Sequence, residues 1–240
     1  MPDWDHLKPI LLGAEAAARR LSWTPAAPES SLKIARDREI RLVQNGDQLL
    51  DVIIESLERL ERKLHDETPA VVDMWNEIKR DRQVIFQPKD EPRLSDIIKR
   101  HLDDDLQVRG IIANREVQIH RIRGYEQTDI HVDAIIPGPD TNAFGAVTVI
   151  IEVKGCWYHE LMTAMKSQLR DSYLRDNRCQ HGLYLVGWFN CDKWDTEDQR
   201  RRAAPDNSLD EARELFDKQA AELSDQDLKI RAFVLDASLR

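Results

Sequence analysis

The stretch Val147–Gly155, VTVIIEVKG, constrains this chain more than any other. An apolar run of this kind reads as a strand buried in a sheet. It ends in a carboxylate, one apolar residue and a lysine: Glu152, Val153 and Lys154. A second run, HGLYLVGWF (His181–Phe189), lacks alternation altogether, as expected for a strand covered on both faces. Between the first run and the chain before it lies TDIHVDAII (Thr128–Ile136), whose acids share one face of a further strand.

Periodicity supplies the remaining elements. Leu7–Leu21 is alanine-rich and amphipathic. Asp47 is expected to cap a helix with the stripe Leu49, Ile53, Leu57, Leu60 and Leu64. Thr68 and Pro69 open another helix through Val71, Val72, Trp75 and Ile78. The turn-rich QPKDEP, Gln87–Pro92, marks a boundary, and Ser95 is expected to cap the next helix. Strands follow over Glu116–Arg123, Asp129–Ile136 and Val147–Lys154, then a helix from Tyr158 to about Asn177 and the strand at His181. Ser208 and Glu211 form a capping box, and Leu228–Leu235 is the last strand. The expected class is α/β with a mixed sheet. Residues 1–90 form a helical N-terminal region and 91–240 a second domain.

Composition excludes several classes. The chain has 240 residues, 41% hydrophobic and 33% charged, which is globular composition. No run of about 18 apolar residues is present to span a membrane, and the N-terminus does not read as a secretory signal. The three cysteines lack CxxC spacing, which fits reduced thiols in a cytoplasmic protein. A net charge of -9 argues against a general nucleic-acid binder, because phosphate is neutralised by Lys and Arg. Metal-ligating acids and segregated charge would reconcile the two.

The acid–lysine string is common by chance in so charged a chain. Glu61–Lys63, Glu77–Lys79 and Asp227–Lys229 also match it, the first two in predicted helices and the third before its strand. Only Glu152–Lys154 ends a buried-type strand beside an acidic one. A hairpin centred near Thr141 and Asn142 puts Asp129 opposite Lys154 and His131 opposite Glu152. Asp129, His131, Asp133, Glu152 and Lys154 then share a face. Asp129 and Glu152 can hold Mg²⁺ together with the Val153 carbonyl. Asp133, nearer the loop, is the alternative acid. His131 suits a supporting or substrate contact better than a magnesium ligand. Lys154 would orient water and offset phosphate charge. An exposed edge pair without chemistry is the bland alternative. Gln168 is a polar residue on an apolar helical stripe, so it needs a partner near the site. Lys166, Arg170 and Tyr173 are candidate backbone contacts for nucleic acid. Glu116 is the favoured auxiliary acid, ahead of Glu91 and Asp96. Trp157 and the run Arg200–Arg202 are further candidates more easily read as core and solvated surface.

These residues resemble the PD-(D/E)xK nuclease superfamily over roughly Ser95–Phe189. The resemblance implies a restriction-endonuclease-like αβββαβ core and Mg²⁺-dependent cleavage, with Mn²⁺ as a substitute. The substrate is expected to be DNA, with a ribonuclease or a catalytically inactive binding module as alternatives. By position, Asp129 matches the aspartate of the second core strand, and Glu152 and Lys154 match the (D/E)xK pair, with Gln168 on the following helix. Thr128 stands where the superfamily's name has proline. RecB-type members carry a tyrosine four positions after the glutamine, whereas Tyr173 here follows Gln168 by five. The phrases NREVQI, TDIHVDA, IIEVKGCW and GLYLVGWF are similar to C-terminal nuclease-like domains of bacterial proteins, some of them associated with antiviral defence, which implies a larger defence complex as partner, and a double-strand cut, which needs two sites, implies a homodimer.

Overall fold

The stripe Leu49, Ile53, Leu57, Leu60 and Leu64 forms one buried side of helix α1, Gly46–His65. The cap differs from the expectation. The side chain of Asn45 accepts the Gln48 N–H at 2.9 Å, and Asp47 lies inside the first turn, where its charge still suits the helix N-terminus. The computed structural model describes residues 43–66, 70–80, 83–106, 111–121, 124–137 and 144–240, and omits the side chains of 115–121, 124–129, 137 and 144. The helix expected at Leu7–Leu21 and the Thr68–Pro69 pair lie outside the described residues.

The helix expected through Trp75 and Ile78 is instead a 3₁₀ turn, Val71–Met74, followed by an antiparallel hairpin of β1, Trp75–Arg80, and β2, Gln83–Pro88. Ile78 pairs with Ile85 and Lys79 with Val84. Cross-strand partners and β-branched side chains outweigh the weak helical spacing. Helix α2, Glu91–Leu106, begins one turn earlier than expected. Asp90 accepts the Arg93 N–H at 3.0 Å, so Asp90, Glu91 and Pro92 open the helix, and Ser95 is buried within it.

The main sheet has the order β3-β4-β5-β6-β7, with β3 at Ile111–Arg121, β4 at Gly124–Pro137, β5 at Phe144–Gly155, β6 at His181–Trp188 and β7 at Lys229–Asp236. The first three strands pair antiparallel, and β5, β6 and β7 pair parallel. Helices cover both faces. Helix α1 packs across β5, β6 and β7, and α2 packs on β3 and β5. Opposite them lie α3 (Leu161–Ala164) with the π-helix Met165–Leu174 that continues it, and α5 (Leu209–Leu223). A short α4, Gln199–Ala203, precedes α5, which starts with the expected Ser208–Glu211 capping box. Among the described residues no helix is long and apolar enough to cross a membrane.

The expected divide near residue 90 does not separate the described residues. Helix α1 lays its apolar stripe on the strands of the second segment, and the two share one core. A polar cluster joins α1 to α2 inside that core. Ser56 Oγ donates to Asp105 Oδ2 at 2.6 Å, Arg59 pairs with Asp105 at 2.6 Å, and His101 Nε2 donates to the Ser56 carbonyl at 2.8 Å. Burial lowers the His101 pKa from its ordinary 6.5, and the bond to Ser56 opposes that only in part. The folded state therefore resists the proton that the unfolded chain accepts. This stability is complete above pH 6.5 and is lost as pH falls below it. The stability gap between the parent and His101→Gln should shrink from about pH 7.5 to about pH 5.5, by at most about 1.4 kcal/mol per pH unit, in urea titrations. A gap that does not change with pH would remove His101 from the balance.

Candidate active site

Strand β5 delivers its charges where its pairing with β4 stops. The ladder runs from Pro137–Phe144 to Ile130–Ile151. His131 faces Ile150 and Asp133 faces Thr148, and the same register continued one step past the end of the ladder would set position 129 across from Glu152. The expected register is thus displaced by two residues. The strands stay paired out to Pro137 and Phe144, so the connection is centred one residue earlier than Thr141–Asn142. A two-residue shift preserves the face, so His131, Asp133, Glu152 and Lys154 still share a side.

Glu152 is 1% exposed and Lys154 8%. Two residues apart on one strand, their side chains point the same way, and Lys154 Nζ lies 2.5 Å from Glu152 Oε1. The ammonium also sits over the Tyr158 ring, 4.3 Å from its centroid. Tyr158 Oη accepts from Gln168 Nε2 at 2.7 Å. One polar chain therefore runs Gln168, Tyr158, Lys154, Glu152. Gln168 finds its partner at the site, but it reaches Lys154 through Tyr158.

A second carboxylate arrives from the opposite face. Glu91 Oε1 accepts the Gly155 N–H at 3.0 Å. Gly155 and Gly187 pair across β5 and β6, and both are tight. A Cβ on Gly187 would lie 2.7 Å from Leu94 of α2, and one on Gly155 would lie 2.5 Å from the Trp157 ring. Tyr184 closes the floor beside Glu152 and donates to the Leu161 carbonyl at 2.8 Å. Burial, and then the charges of Glu152 and Glu91, push its phenol pKa well up. Burial also pushes the Cys156 thiol up to about 12, so the thiol adjoining this site stays protonated.

Val153 is core, buried between Glu152 and Lys154. The side chains of Asp129 and Glu116 lie outside the described residues. Asp133 accepts from Thr148 Oγ1 at 2.6 Å, nearer the loop than the acid–lysine pair. His131 is buried two residues from position 129. Lys166 is exposed, and Arg170 lies 3.7 Å from Asp225. Tyr173 is 8% exposed, which makes it a packing residue and not the surface contact expected. Trp157 packs on Phe189 and Trp194, with the Arg200 guanidinium 5.1 Å from its ring centroid. Arg200 is held by Asp198 and the Pro88 carbonyl and Arg201 by the Trp194 carbonyl, so two of the three arginines are tied to the protein.

Two site residues escaped the emphasis of sequence reasoning. Tyr158 was legible only as the start of a helix. Glu91 ranked below Glu116, although Asp90-Glu91-Pro92 is a helix-opening pattern that aims a carboxylate at whatever lies before the helix.

The oxygen donors gathered here suit a hard cation such as Mg²⁺ better than a softer metal. Among the described residues no three His, Cys, Asp or Glu side chains form a metal cluster by themselves. Comparison with protein-family models, curated proteins and solved structures finds no match to this chain.

Lys154→Met should lower the unfolding free energy by about 3 kcal/mol, because it strands a buried carboxylate. Adding Glu152→Gln should recover part of that loss. Urea titration of the parent, both single variants and the double variant measures the coupling, and strictly additive losses would mean that the pair is not coupled.

Proposed function

We propose that this chain is a metal-dependent nuclease of the PD-(D/E)xK kind, with a restriction-endonuclease-like core over Glu91–Trp188 and DNA as substrate. The observation that carries the reading is the buried Glu152–Lys154 pair at the end of β5, just beyond the last pair of the β4 ladder, Ile130–Ile151. A surface ion pair contributes little and needs no such burial. Two charges drawn into a sheet at a desolvation cost fit a site whose task is electrostatic.

In this reading Asp129, Glu152 and the Val153 carbonyl would hold Mg²⁺, with Mn²⁺ as a substitute. The ion when bound acidifies a water and offsets charge at phosphorus. The residues of the chain do the rest. Lys154 presents its ammonium toward the phosphate oxygens and orients the attacking water. The face of Tyr158 holds that ammonium in place, and Gln168 fixes the Tyr158 hydroxyl. Tyr158 and Gln168 are positioning residues. Glu91 fixes the Gly155 N–H and so the turn that carries Tyr158.

The test is a digestion panel of single- and double-stranded DNA and RNA with Mg²⁺ or Mn²⁺. Cleavage should fall on the order of 10²-fold or more in Asp129→Asn, Glu152→Gln and Lys154→Met. If all three cut as fast as the parent, the assignment fails. Cleavage of RNA alone would make the chain a ribonuclease with the same site. No cleavage together with no calorimetric Mn²⁺ binding would favour an inactive binding module.

A further inference from the structure

A second feature lies on the same face of the sheet, toward the start of β5. A cleft of about 320 Å³ opens between the strands β4 and β5 and the segment that follows the π-helix. His131, Ala146 and Thr148 line its sheet side, and Asn177, Arg178 and Gln180 line its other wall. His131 is 7% exposed, and among the described residues its Nε2 has no hydrogen-bond partner. A buried imidazole without a partner is costly and calls for an explanation. Imidazole χ2 is broad and roughly two-fold, so a half-rotation swaps the ring edge turned toward the cleft.

The walls define the ligand. Among the described residues no carboxylate lines the cleft, and the nearby Asp133 is engaged by Thr148. The imidazoles of His131 and His181, the carboxamides of Asn177 and Gln180, the Arg178 guanidinium, the Thr148 hydroxyl and the Cys179 thiol remain, with Asn177 Nδ2 donating to the Tyr173 carbonyl at 2.7 Å and its Oδ1 left as an acceptor. Carboxamides and guanidinium are the groups that read base edges in pairs, and histidine also serves as a stacking surface. The volume admits one planar unit and not a duplex. His131 is two residues along β4 from position 129, or about 6.6 Å, close to the step between neighbouring units of an extended strand.

We propose that this cleft is a nucleobase subsite, which takes one unpaired base adjacent to the phosphodiester engaged at Glu152 and Lys154. For its ligand class the proposal rests on the nuclease reading. It makes the preferred substrate one with a single-stranded unit beside the cut.

The test uses the full chain without divalent metal, so that no cleavage is involved. The four 5′-mononucleotides are titrated one by one, with ribose 5-phosphate as the base-free probe. Histidine ring NMR signals report on His131, assigned by their loss in His131→Asn, and calorimetry gives the affinity. At least one mononucleotide should bind and shift the His131 signal, and ribose 5-phosphate should not. His131→Ala and Asn177→Ala should each weaken binding by about tenfold or more. Failure of every mononucleotide to move the parent's His131 signal at millimolar concentration overturns the proposal, whether or not the variants fold. Equal binding of ribose 5-phosphate also overturns it, because the cleft would then be an anion site. Absent nucleotide binding beside Glu152-dependent cleavage defeats the subsite and leaves the nuclease. Base binding without any cleavage defeats the nuclease and leaves a nucleotide-binding cleft.

Discussion

The cost of holding the Glu152 carboxylate inside the sheet governs the architecture around it. A carboxylate at 1% exposure has lost its water and must be compensated by the protein. Strand alternation makes Lys154 the available cation, because it emerges on the same side one pleat further on. A lysine stem is flexible, and its ammonium gains a place to rest only if something lies beneath it. The Tyr158 ring does, because Tyr158 N–H bonds to the Gly155 carbonyl at 2.9 Å and turns the chain back over the strand end. Compensation of one buried charge thus fixes the end of β5, the turn after it and the start of the next helix.

The two faces of the sheet meet this requirement differently. On one face, the missing side chain at Gly187 lets Leu94 approach closely, which brings Glu91 to the Gly155 N–H. On the other, Leu169 and Leu174 of the π-helix approach Gly182 in the same way, which sets the helix against the sheet and brings Gln168 to Tyr158. Small residues in β6 therefore decide how near each helix comes, and the polar contacts at the end of β5 follow from that closeness. The α1–α2 cluster around Ser56, His101 and Asp105 holds the α2 end of the arrangement from behind.

Much of this was readable in the chain. The apolar runs at Val147 and His181 became β5 and β6, and the acid–lysine pair fell at the strand end as its spacing required. The Ser208 capping box was legible because it is a local motif with its own hydrogen bonds. Non-local matters were less accessible. The Trp75–Pro88 hairpin was hidden because its strands are partly exposed and carry no strict alternation. The β4–β5 register depends on how far the ladder persists, which Pro137 and Phe144 decide and no central motif announces. A stripe counted on α-helical spacing pointed Gln168 inward. The π-helix turns Leu169 into the core instead and leaves Gln168 at the edge, where Tyr158 can be reached.

Topology explains why the charges collect at this end of β5. β5 pairs antiparallel with β4 and parallel with β6, so the sheet changes sense across it. In open α/β sheets, crevices form at the carboxyl ends of strands where the connections diverge. Here the chain leaves β5 toward the face of α3, whereas α2 covers the other face and the β4 ladder has already ended at Ile130. The last residues of β5 keep their neighbour on the β6 side and lose it on the β4 side. Side chains at such a position can be buried by the helices and still face a gap from which a ligand enters. Charges elsewhere on β5 would be either sealed in the core or half-buried nearer the loop, where Asp133 of β4 already bonds to Thr148. Only the final pleat before Gly155 offers low dielectric and access together, and the chain places its acid and its lysine there.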